Sequence, residues 1–252
     1  MPRRRGSAAL NSLKRDFADR VAGVTSLAEL DEAIIDCREC PRLIEWCGHV
    51  AREKRAAYRD DEYWGRPVPG FGSDRPSVWI VGLAPGAHGA NRTGRMFTGD
   101  RSGDWLYAAL YRAGLATIPT STNRDDGQQL EGTRITAAVH CAPPDNKPTT
   151  EERNTCRYWL RREAQLVLPE VSAVVALGSF AWSATIDALA FAGCDVPAPR
   201  PKFGHGSAFE VVRPRRIRVI GSYHPSQQNT FTGKLTEEML DAIFAGIDVR
   251  EQ

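Results

Sequence analysis

Four short apolar runs, at residues 78–81, 135–139, 173–177 and 217–220, constrain this chain more than any other feature. Each is short enough for a strand, and segments with helical spacing of apolar positions lie between and after them. Alternating strands and helices predict an α/β fold, a three-layer α/β/α sandwich with a mainly parallel four-stranded central sheet. In such a sheet the carboxyl ends of the strands share one edge. The loops 82–100 and 142–148, Gly178-Ser179 and His224-Pro225-Ser226 then surround a single mouth, where open sheets of this class place their ligands.

The 252 residues, 42% of them hydrophobic, suffice for one full core. The expected organisation is an N-terminal arm and helix over 1–25 and a single domain over 26–252. Ser26-Leu27-Ala28-Glu29 and Thr149-Thr150-Glu151-Glu152 have capping-box form ahead of helical patterns. After the first strand a helix is expected over 105–115, capped by Ser102 or Asp104. Residues 51–63 are charged and read as surface. Stretches 65–75, 117–132, 197–215 and 227–234 read as loops, that at 117–132 as a mobile one.

A net charge of +2 does not by itself argue for nucleic acid, and the arginines read as recurring in loops rather than along one helix. No apolar run reaches the roughly 18 residues of a membrane span. The basic start, residues 1–5, lacks a following signal-type apolar core, so a cytoplasmic protein is expected, with 1–10 as a solvated basic tail. No oligomer signal is visible, which leaves a monomer.

Of six cysteines, Cys37, Cys40, Cys141 and Cys156 form a C-x2-C … C-x14-C set. By ligand type, four thiolates suit zinc and an iron–sulfur cluster equally. The plain alternative is a chance C-x-x-C beside two unrelated buried cysteines. Cys47 and Cys194 read as ordinary core cysteines. His224 follows a strand and precedes a proline at the shared mouth, a setting for a functional histidine. His88 sits similarly among glycines; His49, His140 and His205 read as structural. Asp100 is the carboxylate nearest the first strand loop, suited to catalysis, to capping the next helix, or to both. There is no G-x-S-x-G elbow and no G-x-x-x-x-G-K-[ST] loop, which argues against a serine hydrolase and a P-loop nucleotidase.

Three pieces of the chain together resemble the uracil-DNA glycosylase superfamily, most closely its family 5, the type b iron–sulfur enzymes. They are Gly82-Leu83-Ala84-Pro85-Gly86-Ala87-His88-Gly89 with the stretch up to Phe97-Thr98-Gly99-Asp100, then 141–148 (CAPPDNKP), then Tyr223-His224-Pro225-Ser226. The resemblance implies a structural [4Fe–4S] cluster on Cys37, Cys40, Cys141 and Cys156, and excision of uracil from DNA by base flipping and hydrolysis of the N-glycosidic bond. It casts Asp100 as the group that stabilises the sugar cation and orients water, and His224 as a donor to the uracil oxygen. Phe97 becomes the stacking face, with Gly86, Ala87 and Asn146 as further base contacts. Phe231 becomes a wedge in the minor groove, and Arg92, Arg95 and Lys234 phosphate contacts.

Two departures from sister families are visible. Ala84 stands where other members carry the water-handling Asn or Asp, and 135–139 lacks the asparagine that reads uracil in family 4. A pocket without that amide discriminates less, so hypoxanthine and ethenocytosine join uracil as expected substrates. Alternatives are a strict family 4-like uracil glycosylase, a non-catalytic iron–sulfur DNA-binding protein, or a zinc-stabilised α/β protein.

Overall fold

The computed structural model describes residues 15–247. The basic tail expected over 1–10 lies outside the described residues. Six strands form one sheet: β1 (Phe71–Gly72), β2 (Val78–Gly82), β3 (Thr133–Ala137), β4 (Ala173–Leu177), β5 (Ala208–Val211) and β6 (Ile217–Ser222), in the order β1-β3-β2-β4-β6-β5. The central four, β3-β2-β4-β6, are parallel, as expected. Antiparallel β1 and β5 flank them, so the sheet has six strands rather than four. Both edge strands lie in segments that read as loops, because neither has a fully apolar run: β1 is two residues long, and β5 alternates exposed and covered positions.

Side-chain alternation along β2 builds both layers. Val78 and Ile80 face a core closed by α5 (Arg101–Arg112) and α9 (Glu237–Phe244); Trp79 and Val81 face a core closed by α2 (Leu27–Ile35), α3 (Pro41–Glu53), α6 (Thr150–Val167) and α7 (Ser179–Phe191). The short α4 (Ala90–Thr93) lies in the loop after β2, and a further helix, α1, occupies residues 15–22. Its Phe17 and Val21 are buried in that second core, with Phe17 edge-on to Trp159 at 5.4 Å. Each such side chain adds about 1.5–3 kcal/mol of burial, so α1 packs onto the same core as α2.

Local signals hold at most helix starts. Thr149 and Glu152 form a complete capping box on α6, and the Ser26 hydroxyl accepts from the Glu29 amide on α2. Helix α5 starts four residues earlier than expected because Asp100, not Ser102 or Asp104, is its cap. Gln227–Phe231, read as loop, is a short helix, α8. The third strand is shifted two residues toward the N-terminus of the expected run, since Ala138 and Val139 turn out into the loop. The 117–132 loop is tied down rather than loose: the Gln128 amide donates to the carbonyls of Ile118 and Thr120, and the Thr117 and Gln129 backbones bond each other.

A buried ionic network fixes α2 against the sheet. Arg134 on β3 donates to Asp31 on α2 at 2.6 Å and to Glu163 on α6 at 2.7 Å, with the arginine and glutamate almost fully covered. Among the described residues no helix is long and apolar enough to cross a membrane.

Candidate active site

At the carboxyl edge of β2 and β6 a cleft of about 870 Å³ opens, walled by residues 83–90, Met96, Phe97, Asp100, Pro143, Asn146, His224 and Gln227 among others. The chain leaves β2 toward β3 on one side and β4 toward β6 on the other, so this is the switch point expected to hold a ligand.

Asp100 sits at the cleft as the N-cap of α5. Its Oδ1 accepts from the Gly103 amide at 3.0 Å, and its Oδ2 lies against Gly86 and Gly89, where a Cβ on either would crowd it. Burial pushes its carboxyl pKa above the usual value, and the amides of Gly103 and Ser102 pull it back down. It caps the helix, as one reading of this residue expects, and it lines the cleft.

Phe97 is held in a left-handed backbone conformation, φ 52°, which a bulky residue adopts only under constraint. Two glycines permit it. A Cβ on Gly82 would stand 2.9 Å from the Phe97 ring, and one on Gly103 would run into the Phe97 carbonyl. The ring is thus fixed beside His224, centroids 5.7 Å apart and planes 33° from parallel. His224 is half-buried, and desolvation pushes its pKa down to about 4, so it is neutral at physiological pH. The Asn229 side chain donates to the His224 carbonyl at 2.8 Å and anchors the loop.

His88 also lines the cleft, with Nδ1 3.0 Å from the Tyr63 hydroxyl. Asn146 lies at the exposed rim, next to Asp145; both have φ near 55°. Trp46, Arg55, Tyr58 and Arg101 complete the walls, none of them a candidate from sequence. Aromatics set among charges at 46–63 are the available signal; the charges alone read as solvated surface.

Two expected phosphate contacts are internal braces instead. Arg95 is only 4% exposed: its guanidinium bonds Asp126, Ser121 and Thr98, which leaves nothing to offer a phosphate. Arg92 pairs with Asp61 at 2.6 Å, donates to the His88 and Gly99 carbonyls, and stacks on Tyr58 at 4.0 Å. A polar, glycine-rich loop suggests arginines free to reach out, and here the arginines hold that loop together. By contrast Phe231 is 70% exposed at the end of α8, with Arg101 over its ring. Lys234 is exposed, its ammonium 4.7 Å from the Tyr223 ring. His140 is structural as expected, buried with Nδ1 2.8 Å from the Val68 carbonyl.

The four cysteines come together. Cys37 and Cys40 from the α2–α3 junction, Cys141 after β3 and Cys156 on α6 wall one small cavity with Val139, His140 and Trp159. The His140 amide donates to Cys156 Sγ at 3.3 Å, and the buried Trp159 Nε1 has no acceptor. Burial raises the Cys40 thiol to about 12 and pushes Cys37 and Cys156 up as well, so thiolates here need a compensating cation. Among the described residues, no group of three His, Cys, Asp or Glu side chains is tight enough for a single metal ion. Cys47, buried as expected, donates to the Ala142 carbonyl at 3.6 Å beside this cavity.

The family model of the uracil-DNA glycosylase superfamily matches residues 69–247, which hold every wall of the cleft except the 46–58 segment. The chain belongs to the uracil-DNA glycosylase superfamily. Within it the similarity is to the type-5 branch. The chain is 56% identical over 222 residues to the type-5 uracil-DNA glycosylase of Mycobacterium tuberculosis, covering 88% of this chain and 81% of that one. It is 47% identical over 208 residues to the type-5 enzyme of Thermus thermophilus, covering 82% and 90%. Similarity to the type-4 uracil-DNA glycosylase of Archaeoglobus fulgidus is lower, 30% over 161 residues, 63% of this chain and 70% of that one. As a uracil-DNA glycosylase of the type-5 branch, the chain is a monofunctional hydrolase of N-glycosidic bonds in DNA.

Proposed function

We propose that this glycosylase removes uracil from DNA and accepts other deaminated or damaged bases, hypoxanthine and ethenocytosine among them, in the same cleft. One observation carries the wider range: the inner wall, Leu83-Ala84-Pro85-Gly86-Ala87, offers no side-chain hydrogen-bonding group. Ala137, at the end of β3, is buried in the core and offers none either. Backbone groups and the Phe97 ring can hold many bases, whereas strict selection needs a matched side-chain amide. Asn146 at the rim is the residue that would favour a strict uracil enzyme.

In this reading the flipped base stacks on Phe97, with Gly86, Ala87 and Asn146 along its edge. Bond breaking places positive charge on the sugar and negative charge on the leaving base. Ionised Asp100 faces the first and orients water through Oδ2, while its Oδ1 stays on the α5 amide. Neutral His224 donates a hydrogen bond to the second, a preorganised donor that needs no protonation. Phe231, exposed beside the cleft, fills the gap left by the flipped base, and Lys234 meets a phosphate. The protein acts as a monomer.

The four cysteines would hold a [4Fe–4S] cluster, which supplies a structural tie between α2–α3, β3 and α6 and no step of the reaction. Four sulfur donors walling one cavity are the observation that supports a cluster here.

The test is alkali cleavage of oligonucleotides carrying one uracil, hypoxanthine or ethenocytosine, run with protein assayed for iron, sulfide and visible absorbance. Turnover of all three bases by brown protein is expected. Strict uracil preference would overturn the wider range, and colourless protein with zinc bound would overturn the cluster.

A further inference from the structure

Helices α6 and α7 lie side by side and both begin at the sheet edge that carries the cleft. Between them is a second cavity of about 460 Å³. Arg153, Arg157 and Arg161 line it from α6, spaced i, i+4, i+8 and so on one face. This stripe corrects the reading that arginines avoid a single helix; sequence order alone hides it among the polar residues of α6.

The three arginines are not equivalent. Arg161 is taken up by Asp187 on α7, at 2.9 and 3.1 Å, and closes the far end. Arg153 stacks over Phe180 at 5.4 Å, which holds it above the first turn of α7. No side chain caps that helix, and its first two residues, Ser179 and Phe180, line the cavity. Arg157 Nε is buried and has no hydrogen-bond partner, and among the described residues neither Arg153 nor Arg157 has an ion-pair partner. A buried guanidinium N–H without an acceptor is costly unless something supplies one. The cavity therefore presents two cations without a carboxylate partner among the described residues, Arg153 over Phe180 and Arg157 over Tyr158 at 5.7 Å, together with an uncapped helix start and the exposed Ser183.

This cavity adjoins the active-site cleft. Gly178 is in van der Waals range of His224, a Cβ there standing 3.5 Å from the histidine Cβ, and the next residue, Ser179, already lines the arginine cavity.

We propose that the α6–α7 cavity is a phosphate subsite that takes the backbone of the substrate strand beyond the active-site cleft, gripped by Arg153 and Arg157. The inference rests on the reading of DNA as substrate. It adds a path for the strand along the helix layer, away from α8.

The experiment compares wild type, Arg153→Ala/Arg157→Ala and Ser183→Glu on a uracil-containing duplex that extends well past the lesion, and on a single-stranded fragment too short to reach past the cleft. Salt is varied throughout. Ser183 is exposed, so its substitution adds an opposing charge without touching the core. For the long duplex both variants should raise KM about tenfold at moderate salt, keep kcat, and flatten the salt dependence by about one unit of slope per phosphate lost. On the short fragment they should match wild type, and Arg157→Lys should recover part of the loss. Uracil excision with unchanged KM and salt slope in both variants would overturn the subsite while leaving the glycosylase reading intact. Inorganic phosphate binding that is abolished in the double variant, with DNA kinetics unaffected, would assign the cavity to a free phosphorylated ligand and overturn the strand path. No excision by wild type on any substrate would remove the reading beneath it.

Discussion

Asp100 Oδ2 occupies the place that a Cβ on Gly89 would take. Position 89 thus fixes how deep the carboxylate can sit. Gly89→Ala should push the carboxylate out of line with the reacting carbon and lower kcat about a hundredfold, with a much smaller change in KM. Single-turnover kinetics at saturating DNA would show it; wild-type kcat in this variant would mean that Asp100 placement is not critical.

Asp100→Asn separates the two duties of the residue. Asparagine caps helices as well as aspartate, and it removes a carboxylate whose ionisation burial opposes. Activity should fall at least about a hundredfold, while thermal stability stays equal or rises. A drop in Tm together with activity would make the residue chiefly a structural cap.

The pH profile should lack a histidine inflection near 6.5. His224 takes its proton only near pH 4 in the folded protein, against 6.5 when free. It is neutral throughout the working range, and the acid limb of kcat/KM falls to Asp100, above the ordinary carboxylate value of 3.8. The sign for stability follows from linkage: between 6.5 and 4 the unfolded chain takes the proton and the folded one does not. The histidine's contribution is therefore complete above 6.5 and lost as pH falls toward 4. Urea unfolding of wild type and His224→Gln across that window should show a steeper loss in wild type. A kinetic inflection near 6.5 that vanishes in His224→Gln would contradict this.

Arg95→Ala should damage folding rather than DNA affinity. The Arg95–Asp126 pair is nearly inaccessible, 5% and 9% exposed at the side chains, and stranding one partner costs about 3–5 kcal/mol. Denaturant midpoints should drop sharply, and the salt slope of DNA binding should stay as in wild type. A reduced slope at normal stability would restore Arg95 as a phosphate contact.

The parallel centre of the sheet and the capping side of Asp100 were legible because each rests on short-range pattern, and the meeting of the four cysteines because thiols of one ligand type group together whatever their spacing. Apolar runs mark strands buried on both faces, and strand ends share one edge once the strands are parallel. Edge strands escape that logic, since Phe71-Gly72 and the alternating 208–211 segment carry no buried run. Arginines are the other failure. Nothing local distinguishes Arg95, closed in by Asp126 from a loop some thirty residues on, from a residue reaching for solvent. Long-range pairing decides that, and the chain order conceals it. The same blindness hides the wall formed by Trp46, Arg55 and Tyr58.

The Asp31–Arg134–Glu163 network holds α2 in place by charge. It binds α2 to β3 and α6 through two ion pairs that involve no sulfur, beside the packed helix face of Leu27, Leu30 and Ile34. These three elements also bring together, directly or through the residues that follow them, all four cysteines. The anchoring of α2 to β3 and α6 thus rests on contacts outside the thiols, and it holds Cys37, Cys141 and Cys156 at the wall of one cavity.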